Sequence, residues 1–109
     1  MKQTLQQQID YLADHIQQYK EADALDAANL VYLLQQITTT LYFLENERAK
    51  CHDQFQSIIN RLVLGGSSVS KAENEANVKV PELYLMRHIL QSAYEVVGAL
   101  RSQISWIKT

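Results

Sequence analysis

The apolar positions of this 109-residue chain recur at alternating steps of four and three. The longest run passes through Leu30, Leu34, Ile37, Leu41, Leu44, Arg48, Cys51, Phe55, Ile58 and Leu62. That is a heptad seam, the face a helix presents to neighbouring helices, with one polar member at Arg48. No Gly or Pro interrupts it. The spacing predicts one helix over Asp23 to Val63, about 60 Å long at ~1.5 Å per residue. Such a rod cannot bury its stripe on itself, so the rest of the chain must supply partners.

Two shorter seams flank it. Leu5, Ile9, Leu12, Ile16 and Tyr19 predict a first helix over residues 2–20, with Gln at its outer positions. Asp23 and Asp26 have the spacing of a capping pair and mark the next helix start, reached by a tight turn or a kink. Gly65 and Gly66 predict a left-handed stop. The connector over 64–80 holds a second such pair, Ser70 and Glu73, which predicts a short helix over 70–77. Pro81 suits the first turn of a last helix over 81–107, where its missing N–H costs nothing. Leu83, Met86, Leu90, Ala93, Val97, Leu100, Ile104 and Ile107 form its seam, widened by Ile89 and Val96. Gly98 inside it marks either a close crossing or a weak point of about 1 kcal/mol relative to Ala.

The expected fold is therefore all-α: a single helical domain over 1–109, built as a coiled-coil-like bundle around a long central helix. The last helix is expected antiparallel on the C-terminal part of the rod, and the first helix on part of the remainder. A seam longer than its partners leaves Leu30, Leu34, Ile37, Leu41, Leu44, Phe55, Ile58 and Leu62 as core or as the seat of a second copy. Homo-oligomerisation is expected, because a small, partly covered bundle has little spare stability.

Charge adds an asymmetry to this picture. The net charge of −2 excludes a histone-like polycation. Residues 1–47 carry two Lys against seven acids, whereas residues 48–109 carry eight Lys or Arg against five acids. A polyanionic partner should meet the second half. Lone Cys51 can make no internal disulfide and reads as a small core thiol in a reducing compartment. Lys2 and the Gln-rich opening do not read as a signal peptide, and no run approaches ~20 apolar residues. A soluble protein of the host cytoplasm is expected, without membrane contact.

Catalytic chemistry finds no foothold. His15, His52 and His88 fall in different elements and are expected at the surface. Cys51 and His52 are adjacent, so on a helix they point about 100° apart and cannot easily grip one ion. No metal-ligand spacing is present, and Gly65-Gly66-Ser67-Ser68 lacks the Lys and the spacing of a phosphate-binding loop. No enzyme, cofactor or metal is expected.

Two basic sets remain. Arg48, Lys50 and Arg61 lie on the C-terminal half of the rod. Arg48 there either fixes register as a buried residue paired with Glu45 or Glu47, or offers a basic point to a groove. Arg87, Tyr94, Arg101 and Lys108 recur every seven residues along one edge of the last helix. Cations with an interleaved aromatic suit a nucleic-acid strand; the alternative is a solvated flank covering the core edge. Tyr42 and Phe43 lie off the long seam; either they pack against another helix, the expected fate, or they form a sticky contact surface.

The segment SKAENEANVKVPELYLMRHILQSAYEVVGALRSQISWIK, Ser70 to Lys108, resembles the C-terminal part of small helical phage proteins encoded among recombination genes. In layout, from about Tyr32 onward, the chain is similar to the UvsY-type recombination mediators. That resemblance implies a non-catalytic, ring-forming oligomer that binds single-stranded DNA to help load a recombinase. The family uses a Lys-x-Arg-Leu element near the end of the long helix; here Ile59-Asn60-Arg61-Leu62 keeps the Arg and replaces the Lys. The composition also fits phage inhibitors of bacterial defence, including anti-CRISPR proteins. Such a protein would bind a host defence protein by setting its acidic half in a basic groove.

Overall fold

A computed structural model describes residues 4–108, the last by its backbone alone; residues 2 and 3 of the expected first helix lie outside the described residues. The first helix, α1 (Leu5–Glu21), opens on a reciprocal cap. Gln7 N–H donates to the Thr4 hydroxyl at 3.1 Å, and Thr4 N–H donates to the Gln7 side chain at 2.9 Å. Two otherwise unpartnered donors of the first turn are thereby satisfied.

The chain then reverses, which decides between the turn and the kink left open above. Asp23 does not start a helix. Its carboxylate accepts from Leu25 N–H at 2.9 Å and builds the turn, and Asp26 caps the next helix by accepting from Asn29 N–H at 3.1 Å. The long helix α2 therefore runs Ala27–Leu64, starting four residues later than expected. Tyr11 donates to Gln36 at 2.6 Å and the His15 ring faces Tyr32, so α1 lies antiparallel to α2.

At ~1.5 Å per residue α2 is about 57 Å long, which matches the 60 Å long axis of the molecule. It ends on the expected left-handed stop. Gly66 has φ 101°, Ser67 N–H reaches back to the Leu62 carbonyl, and Gly66 N–H to that of Val63. Only Gly takes that φ without strain.

A short helix, α3 (Val69–Lys79), folds back along the distal half of α2. Its cap is Ser68, which accepts from Lys71 N–H at 3.2 Å, and not Ser70. After Val80 and Pro81 the last helix, α4 (Glu82–Lys108), continues in the same direction. Pro81 precedes the helix instead of entering it; its carbonyl accepts from Tyr84 and Leu85 N–H. Because α3 occupies the distal half, α4 pairs with the middle and proximal parts of α2. The expected seating of α4 on the C-terminal part of the rod is thus corrected. Tyr94 bonds Glu45, and Trp106 shares a cavity with Ala24 and Leu25.

The fold is an all-α helical bundle with no strand among the described residues. One core joins Leu12 and Ile16 of α1, Leu30, Leu33, Ile37, Leu41 and Leu44 of α2, and Met86 to Ile104 of α4. Leu33 is fully buried where the seam names Leu34, which is half-buried. With α1 on one flank of α2 and α4 on the other, positions on both sides of the seam become interior. Phe55, Ile58 and Leu62 are only half-buried, and the distal half is covered chiefly by Ala72 and Ala76 of α3. No described helix is long and apolar enough to cross a membrane.

Candidate nucleic-acid groove

α1 packs on the flank of α2 that carries Tyr32 and Gln36. Two residues further along a helix lie about 200° around the axis, so Thr38 looks out on the opposite flank. There α2 and α4 run side by side, with no other described helix packed across them, and the space between them is a groove.

Two neighbouring cavities make up this groove. One, of about 250 Å³, is lined by Thr38, Leu41, Tyr42, Glu45, Tyr94, Val97 and Arg101. The other, of about 440 Å³, is lined by Glu45, Arg48, Arg87, Leu90, Gln91, Tyr94 and Glu95. Leu41, Leu90 and Val97 form the apolar floor. Arg48, Arg87 and Arg101 stand exposed along the rims, with Tyr42 and Tyr94 between them. Tyr42 is 69% and Tyr94 55% exposed, so both rings can meet a ligand.

The groove draws its cations from both sets read in the sequence. Arg48 of the long helix joins Arg87 and Arg101 of the last helix. Lys50 stands about 200° around α2 from Arg48 and pairs with Glu47 at 3.4 Å. Arg61 is exposed, but thirteen residues on it lies about 20 Å further along α2 and about 220° around it. The set Arg48, Lys50 and Arg61 is thus not one surface. The Lys108 side chain lies outside the described residues.

Other expectations are corrected. Arg48 is exposed, not a buried register residue; it pairs with Glu45 at 3.3 Å. Phe43 and Tyr42 are not buried against another helix: they are 52% and 69% exposed, and Tyr42 borders the groove beside Tyr94. Gly98 marks no close crossing, since a Cβ there would meet nothing within 4 Å. His15 is buried, not at the surface: its ring lies 4.2 Å from that of Tyr11, and its Nδ1–H donates to the Tyr11 carbonyl at 2.8 Å. Cys51 is half-buried; burial, then the charges of Glu82 and Glu47, push its thiol above the usual range.

Glu45 was missed as a site residue. Its Oε1 accepts from the Tyr94 phenol at 2.9 Å, while its Oε2 accepts from Arg48 Nε. Burial first, then the hydrogen bond to Glu45 and the Glu45 charge, raise the Tyr94 pKa above the usual phenol value, with Arg48 opposing. The signal was the spacing of Tyr42, Glu45 and Arg48, one every three residues on one helix edge. Among the described residues, no three His, Cys, Asp or Glu side chains gather to hold a metal. The groove places three guanidinium groups and two exposed phenol rings around an apolar floor, with Glu45 and Glu95 among them. No family model, no curated protein and no solved structure matches this chain.

Proposed function

We propose that this chain is a non-catalytic, single-stranded-DNA-binding accessory protein of the phage recombination-mediator type that its layout resembles. The observation that carries the reading is the α2–α4 groove, where Arg48, Arg87 and Arg101 alternate with the exposed rings of Tyr42 and Tyr94. Guanidinium groups fit a phosphate backbone bidentately, and tyrosine rings offer faces on which any base can stack. Three cations give weak binding per subunit, so several copies must act on one strand. The half-buried Phe55, Ile58 and Leu62 are the surface for a second copy.

The test is fluorescence anisotropy with a labelled oligo-dT at low salt. The full-length chain should bind, with log affinity falling against log salt at a slope of about 2 for three phosphate contacts. Changing Arg48, Arg87 and Arg101 together to Ala should weaken binding at least about tenfold, while Arg61→Ala should leave it unchanged. Light scattering should show more than one copy. A monomer that ignores DNA would sink the reading.

A second reading has its own observation. Asp10, Asp14 and Glu21 line the exposed side of α1, with Asp23 and Asp26 at the turn below. That acidic face suits a phage inhibitor, anti-CRISPR-like, seated in the basic groove of a host defence protein. Failure of DNA binding, with capture of a nucleic-acid-binding host protein that Asp10→Lys abolishes, would favour it.

A further inference from the structure

The two cavities of the groove meet at one side-chain bridge. Glu45 and Tyr94 line both of them. The bond between these residues spans from α2 to α4 and joins positions 49 apart in sequence. It therefore divides a channel that would otherwise run unbroken from Arg87 past Arg48 to Arg101.

What the carboxylate holds gives the bridge its meaning. One oxygen takes a phenol O–H and the other a guanidinium N–H. A phosphodiester presents the same arrangement, two anionic oxygens on one centre, and would take the same two donors. We propose that Glu45 is a built-in competitor for the groove: its carboxylate stands in for a backbone phosphate, and a bound strand must displace it from Arg48 and Tyr94. This inference rests on the reading of the groove as a nucleic-acid site, and it assigns that site's regulation.

Two consequences follow. Arg48, though exposed, already faces a carboxylate in the free protein, so an isolated anion gains little there. A strand that also engages Arg87 and Arg101 has the additional attraction needed to displace the carboxylate. Displacement also releases the Tyr94 ring from its tether, leaving it free to turn toward a base. The groove thus favours a continuous strand over free phosphate. The other acid in the groove, Glu95, lines only the larger cavity and neither makes nor shares the bridge.

The experiment compares Glu45→Gln with the unaltered full chain, using labelled oligo-dT at low salt. Glutamine keeps the size and an acceptor for Tyr94 but removes the charge. Affinity should rise at least about threefold, since a strand no longer has to break the Glu45–Arg48 ion pair to reach that guanidinium. The salt slope should stay at about 2, because the bound strand meets the same three guanidinium groups in both proteins. In an Arg48→Ala background the same change should give no gain, for the competitor then has nothing to mask. A gain that persists in full there would overturn displacement in favour of plain charge repulsion. An unchanged Glu45→Gln affinity, with the triple Arg change still weakening binding, would overturn this inference and leave the groove standing. No binding by either protein would overturn both.

Discussion

The two halves of α2 carry the same heptad seam but meet different neighbours. In the proximal half, α1 and α4 close on both flanks, and Leu30, Leu33, Ile37, Leu41 and Leu44 are buried. In the distal half, the cover is α3, whose buried residues are Ala72 and Ala76. Phe55, Ile58 and Leu62 stay half-buried beneath it, and Leu64 is 89% exposed. A seam therefore states that a face will be covered, not how deeply. Depth depends on the number and size of the residues opposite, and alanine removes little surface from water.

The largest effect should separate the halves directly. Leu33→Ala should cost ~2–5 kcal/mol in urea unfolding, the range for a fully enclosed leucine. In dilute protein, where no second copy covers it, Leu62→Ala should cost about 1 kcal/mol, because less of that side chain leaves water. Equal costs, growing with protein concentration, would mean that a sister copy encloses the distal half. The next effect probes the alanine layer. Ala76 is fully buried, so Ala76→Leu should overpack it by about 1–3 kcal/mol. A neutral result would show α3 free to shift away from α2.

The smallest effect lies at the junction. Cys51 is half-buried, and its thiol is raised by burial and by Glu82 and Glu47. Alkylation near about pH 8 should be slower than for a free cysteine, since the thiolate is the nucleophile. The rate should climb as pH rises past the usual thiol range. The neutral thiol is the favoured form. Its contribution to stability is therefore complete below the unfolded pKa and is lost as pH rises through the higher folded value. Reaction at the rate of free cysteine would show the junction to be open.

Much of the fold was readable because helix periodicity is a local signal. The first and last seams hold nearly position for position, from Leu12 and Ile16 to Met86 and Ile104. Gly66 stops α2 as its flexibility demands. Helix starts were less readable, since Asp23 and Asp26, or Ser68 and Ser70, are equally good caps and only the path of the chain selects one. The position of α4 was misread for a related reason. Eleven residues of α3, about 16 Å of helix, pack along α2 and displace the pairing of α4 toward the proximal end.

The site was readable only in fragments. The heptad row Arg87, Tyr94 and Arg101 falls on one edge, as its spacing requires. That Arg48 would join it, and that Lys50 and Arg61 would not, depends on which flank of α2 faces α4. His15 was misjudged because its burial depends on Tyr11 one turn before it and Tyr32 on another helix.

The contact of α1 with α4 bears on how the molecule folds. Each antiparallel pairing follows a short reversal, so α1–α2 and α2–α3 can zip from their turns at little entropic cost. Bringing the first helix beside the last closes a loop of nearly the whole chain, the least local event in the topology. The bundle's third side should therefore set last, and changes confined to that side should speed unfolding without slowing folding.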